Sequence, residues 1–187
     1  MTTLTRPAWE CLWLASIDAS DHYGRTMTDT QARAIPNRLF FRLFQTGNVL
    51  QRQVQKEMGV STVQWAVLGA LSRPGYENGI SFNELTEYLI VSRQNLDGVL
   101  KRLERDDHVV RIAHPQDGRA RLVLMTAQGR AFWESLQPKI DEFYRQALAS
   151  FGFDDQVSLL HYLNKLNVDL ANVEIDPAKA TTEPTVD

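Results

Sequence analysis

Cysteine is nearly absent: Cys11 stands alone among 187 residues, which rules out an intramolecular disulfide and any cysteine-based metal cluster and fits a reducing cytoplasm. No run approaches the roughly 18 apolar residues of a membrane span, and the first residues lack a basic segment leading into an apolar one. Neither a membrane partner nor a signal peptide is expected. Catalytic patterns are also missing. No Ser-His-Asp order, phosphate loop or dinucleotide fingerprint occurs, and His22, His108, His114 and His161 match no ligand spacing. The expectation is a non-enzyme without cofactor or metal. Positive charge is short as well, 20 Lys and Arg against 23 Asp and Glu for a net −3. That total does not exclude nucleic acid, because phosphates attract cations only within a Debye length.

What is present is apolar periodicity, in a chain 43% hydrophobic and long enough to bury a core. The informative stretch runs from Ser92 to Thr126. Leu96, Val99, Leu100 and Leu103 recur at i, i+3, i+4 and i+7, which predicts a helix with one buried stripe. Gln94, Gly98, Lys101 and Arg105 then fall on its outer face, with Arg102 at the edge and Arg93 in the first turn. Asp106, Asp107 and His108 break the pattern. Val109, Val110 and Ile112, the turn Pro115-Gln116-Asp117-Gly118, and Leu122 to Met125 follow as a β-hairpin whose tip carries Arg119 and Arg121. Upstream, Ser81 to Leu89 reads as a short helix in which Ser81 and Glu84 form a capping box, and Ser92 is placed to cap the next helix. Helix, tight turn, helix and hairpin make a winged helix-turn-helix.

Charge is one-sided along this chain. Arg93, Lys101, Arg102, Arg105, Arg111, Arg119 and Arg121 gather in the helix and wing, diluted by Glu104, Asp106 and Asp107. The expected partner is double-stranded DNA. Ser92 starts the helix, Arg93, Gln94 and Asn95 suit base edges, Lys101 and Arg102 suit the groove, and Arg119 and Arg121 suit phosphates or a narrow minor groove.

The fold class expected is mainly α with a small β-hairpin wing, a winged domain joined to a helical dimerisation region. An arm over residues 1–35 holds a short helix with Trp9, Trp13 and Ile17, then an irregular connector to Ala34 that includes His22 and Tyr23. A dimerisation helix over 36–60 begins at Asn37 after Pro36, with Leu39, Leu43, Leu50 and Val54 on one side and Phe40 and Phe44 on another. The winged domain spans 61–126 and includes a helix from Thr62 with Trp65, Val67, Leu68 and Leu71. Residues 127–171 form two more helices, one with a kink expected near Pro138. Residues 172–187 read as a disordered tail. The outer helices carry more apolar surface than one small domain buries, so a two-fold homodimer on a pseudo-palindromic operator is expected.

Leu85, Ser92, Leu103, Glu104, Val109, Arg111 and the run Asp117-x-Arg119-x-x-x-Val123-x-Met125-Thr126 resemble the multiple-antibiotic-resistance regulator (MarR) family of bacterial transcription factors, over roughly Asn37 to Leu170. Asp107 stands where the family usually has glycine, and Asp97 and Gly98 where it often has Thr or Ser and a basic residue. The resemblance implies a repressor released by a small aromatic acid or phenol. Arg38, Phe41, Arg42, Phe44 and Trp65 have the chemistry for an aromatic carboxylate; an aromatic core beside solvated arginines is the other reading of the same residues. Two other functions stay open, a constitutive architectural or adapter protein and, through Cys11, a thiol-based redox-sensing repressor.

Overall fold

The computed structural model describes residues 29–115 and 120–176. Residues 1–28, with Cys11 and the helix expected around Trp9 and Trp13, 116–119, with Arg119, and 177–187 lie outside the described residues. The chain divides into two compact units, one reaching Arg52 and the other running from Gln53 onward.

Helix α1 spans Asp29–Met58. It starts earlier than Asn37 and runs through Pro36, which corrects both the connector expected to Ala34 and the arm boundary at residue 35. Gln31 to Ala34 are good helix formers, and a proline removes a single backbone donor, so Pro36 is carried inside the helix and does not begin it. In the first unit its apolar residues stay largely uncovered within one chain, Phe41 and Phe44 among them at 52% and 66% exposure.

The second unit is built from α2 (Thr62–Leu71), β1 (Ile80–Ser81), α3 (Phe82–Leu89), α4 (Arg93–Arg105), β2 (Val109–Ala113), β3 (Arg121–Met125), α5 (Ala127–Ala147) and α6 (Phe153–Ala171). Each short helix starts where its side chains satisfy the free N–H groups. Ser61 with Gln64 and Ser81 with Glu84 form reciprocal capping boxes. The wing is more than the hairpin expected: β1 adds to β3, giving an antiparallel sheet in the order β1-β3-β2. Two residues, Ile80 and Ser81, pair with Val123 and Leu122; a strand that short leaves no alternating pattern to read. Arg121 is the first residue of β3, opposite Ala113, and so belongs to the strand and not to the hairpin tip.

Two cores result. Val67, Leu68, Leu71, Leu85, Leu96, Val99, Leu100, Leu103, Val109 and Val123 close one under the helix-turn-helix. Val54, Met58, Val60, Leu136 and Ile140 close the other, with Trp65, Trp133 and Phe143 against it. Helix α5 passes through Pro138 unbroken.

The chain from α4 into β2 is locked to the start of α5. Asp107 takes φ 55°, a left-handed conformation that Asp tolerates better than most residues and that ends α4 where glycine is more usual. The Thr126 hydroxyl donates to the Asp107 carbonyl at 2.5 Å and accepts from the Gly129 N–H at 2.9 Å. The Gln128 amide donates to the Asp106 carbonyl at 3.1 Å, and the His108 ring stacks on Phe132 with centroids 4.2 Å apart. A Cβ on Gly129 would lie 1.9 Å from the His108 carbonyl oxygen. Backbone stands on both sides of that contact, so neither side yields cheaply. Gly129→Ala is therefore expected to cost about 3 kcal/mol, the upper end for overpacking. Gly47→Ala, whose added methyl meets nothing within 4 Å, should be neutral or stabilising. Urea unfolding of both variants checks this; equal midpoints would contradict the close approach.

Candidate nucleic-acid interface

Helix α3 ends at Ile90, which adopts φ 51° and ψ 46° and is 80% exposed. A β-branched residue in this region is strained, because its Cβ crowds the carbonyl. The strain turns the chain within two residues, and Ser92 then opens α4 by accepting from the Asn95 N–H at 3.2 Å. Leu96, Val99, Leu100 and Leu103 are buried, while Arg93, Gln94, Asn95, Lys101, Arg102 and Arg105 are exposed. The predicted faces are therefore the observed ones. Arg93 is braced: its guanidinium donates to the Asn83 side-chain oxygen and lies 5.7 Å over the Phe82 ring. That steadies the first turn of α4 against α3.

The charges on this surface are not all available to a partner. Arg111, counted above among the surface cations, is a strut between β2 and α4. Its Nε and Nη2 donate to Glu104 at 2.9 and 2.6 Å, and its Nη1 donates to Asp97 at 2.6 Å. The Arg111 side chain is 22% exposed, and the Glu104 hydrogen bonds, with Asp97 second, raise its pKa above the usual guanidinium range. Lys101 in turn lies 2.8 Å from Asp97. Hydrogen bonding to Lys101 and then to Arg111 holds the Asp97 carboxyl below the usual carboxylate range. Two acids and two bases cancel in this quartet, so among the described residues the net positive charge of this surface comes from Arg93, Arg102 and Arg121, with Arg105 exposed but paired to its neighbour Asp106. The sequence held the signal, since Asp97, Lys101 and Glu104 share one flank of α4 at i, i+4 and i+7; without the register of β2, Arg111 could not be assigned to that flank. Between α3, α4 and the sheet lies an open cleft of about 430 Å³ whose walls include Phe82, Asn83, Arg93, Asp97, Arg111 and Arg121. A helix with a cationic outer face beside a cleft and an arginine-bearing strand has the shape and charge to meet a nucleic-acid groove.

The residues read as an effector site do not share one unit. Arg38, Phe41, Arg42 and Phe44 lie on α1 in the first unit, with Arg42 donating to the Gln45 side chain at 3.1 Å. Trp65 belongs to the second unit, half-buried against the second core with its ring 6.1 Å from Tyr144. Among the described residues no group of three or more His, Cys, Asp or Glu is arranged to hold a metal, and no helix is long and apolar enough to cross a membrane.

Comparison with known proteins agrees with this architecture. The MarR family model matches residues 58–120. The transcriptional activatory protein BadR of Rhodopseudomonas palustris is 47% identical over 169 residues, covering 86% of this chain and 95% of its own. The homoprotocatechuate degradative operon repressor of Escherichia coli is 29% identical over 61% of this chain and 75% of its own. Among solved structures, Sco3205 of Streptomyces coelicolor, a MarR family regulator crystallised with DNA, shares the fold with a TM-score of 0.66 at 22% identity, over 78% of this chain and 94% of that one. The winged helix-turn-helix, its small antiparallel sheet and the near full-length match to an activator agree: the chain belongs to the MarR family of transcriptional regulators.

Proposed function

We propose that two copies of this chain set their α4 helices in successive major grooves of a pseudo-palindromic operator and that a small aromatic acid tunes that binding. The observation carrying the reading is α4 itself, capped by Ser92, buried on one side and presenting Gln94, Asn95, Lys101 and Arg102 on the other. Arg121 on β3 supplies the second contact, at phosphate or in the minor groove. Lys101→Ala and Arg121→Ala should each weaken operator binding about tenfold without moving the thermal midpoint, and Arg121→Ala should flatten the salt dependence by about one ion. Fluorescence anisotropy across a salt series measures both. Unchanged affinity and slope in both variants would remove these residues from the interface.

Dimerisation is supported by what one chain leaves uncovered. On α6, Phe153, Leu160, Tyr162 and Val168 are 80%, 61%, 65% and 63% exposed, and an amphipathic helix with that much bare apolar surface calls for a partner. Leu163→Glu, within the same helix, should convert a micromolar dimer to monomer in sedimentation and abolish tight operator binding. A monomer of the parent chain that still binds a palindrome tightly would contradict it.

The effector reading rests on α1. Arg38 and Arg42 are one turn apart on the helix that exposes Phe41 and Phe44, an arrangement in which guanidinium groups take a carboxylate while a ring packs beside them. The Escherichia coli relative, described as repressor of a homoprotocatechuate degradative operon, is consistent with that chemistry. The effector alters DNA binding only through a difference in affinity for the bound and free shapes. Calorimetric titration with benzoates and cinnamates should find a ligand that shifts operator affinity, and Arg42→Ala should blunt that shift while leaving ligand-free DNA binding intact. No binding across the panel would leave a constitutive regulator. Repression is the direction implied by the family resemblance; activation is a second reading, favoured by the 47% identity to an activator.

A further inference from the structure

We infer that Asp97 and Lys101 act as one unit that reads a single G·C base pair, with Gly98 giving the pair's edge room to approach the helix backbone. The inference rests on the reading that α4 lies in the major groove.

An acid on a surface that meets phosphate weakens binding to every sequence unless the correct sequence answers it. Asp97 is not required to hold Arg111, because Glu104 already takes that guanidinium through two hydrogen bonds at 2.9 and 2.6 Å. Its carboxylate is nevertheless fixed, by Arg111 Nη1 at 2.6 Å and Lys101 Nζ at 2.8 Å. Each oxygen keeps a lone pair for a further donor. The result is an ammonium and a carboxylate side by side on the flank of α4 that lines the cleft, held in place before any DNA arrives.

Base chemistry selects the partner. Across the major groove a G·C pair presents two acceptors, N7 and O6 of guanine, and then one donor, N4 of cytosine, at the end of the row. Lys101 matches the acceptors and Asp97 the donor. In an A·T pair the single donor sits between two acceptors, so a carboxylate aimed at it also meets adenine N7 or thymine O4 and is repelled. The neighbouring residue supports the same geometry. A Cβ added at Gly98 would meet nothing within 4 Å, so packing inside the chain does not demand glycine there. Glycine within a helix is less stable than alanine, and without a Cβ it leaves room for a close approach from outside.

The test starts by enriching duplexes from a random pool with the parent dimer, then measuring affinity for the enriched site and for each single base-pair substitution of it. For the parent, one G·C pair in each half-site should cost about tenfold or more when changed to A·T. Asp97→Ala removes the acceptor and leaves Arg111 on Glu104. It should flatten the preference at that pair to within about twofold and leave every other position as it was. Gly98→Ala should raise the thermal midpoint while weakening the enriched site about tenfold. An Asp97→Ala profile identical to the parent, or one shifted equally on all sequences, overturns the inference while the DNA-binding reading stands. A parent protein that binds no duplex and enriches nothing overturns both.

Discussion

Everything on the exposed side of α4 depends on what its other side does. Leu96, Leu100 and Leu103 are fully buried and Val99 nearly so, and at about 1.5 to 3 kcal/mol for each such side chain the stripe outweighs any other term orienting the helix. Rotating α4 by one residue would expose part of this stripe and bury a charged or polar group. The rotational setting of Gln94, Gly98 and Lys101 is thus decided from inside the core. Arg111 acts on top of that constraint: its partly buried pairs with Glu104 and Asp97 fix the helix laterally against β2. Their contribution is positional.

How much of this was legible before the structure follows from the range of the interactions. Caps and stripes are local: Ser81, Glu84 and Ser92 sit within four residues of the groups they satisfy, and the apolar spacing of α4 is read directly. The two-residue strand β1 escaped because its pairing with β3 joins residues some forty positions apart and leaves no periodic trace. The strut role of Arg111 leaves no local trace for a similar reason: its partners are 7 and 14 residues away on another element. The start of α1 lies before Pro36 because a long helix with good formers ahead of the proline absorbs one lost donor.

The candidate DNA surface was mostly legible, since it lies on one helix and the strand that follows the turn. The effector residues are divided between the two units, Arg38 to Phe44 in the first and Trp65 in the second. Composition pointed to arginines and aromatic rings, but their chemistry depends on which unit each belongs to, and periodicity does not carry that information. Trp65 illustrates the difference: it lies half-buried against the second core, with its ring tilted beside Tyr144.

The junction between α4 and α5 has a mechanical consequence. Thr126, Gln128 and Gly129 grip the three residues Asp106 to His108, so the first turn of α5 and the end of α4 move as one piece. Helix α5 extends over 21 residues, about 30 Å at the usual rise. With its far end held, a swing of about 5° about that end would carry the tail of α4 by roughly 2.6 Å, most of the spacing between adjacent base pairs. The stiff point of that joint is a glycine pressed against a carbonyl, through which any tilt of α5 would reach the end of α4.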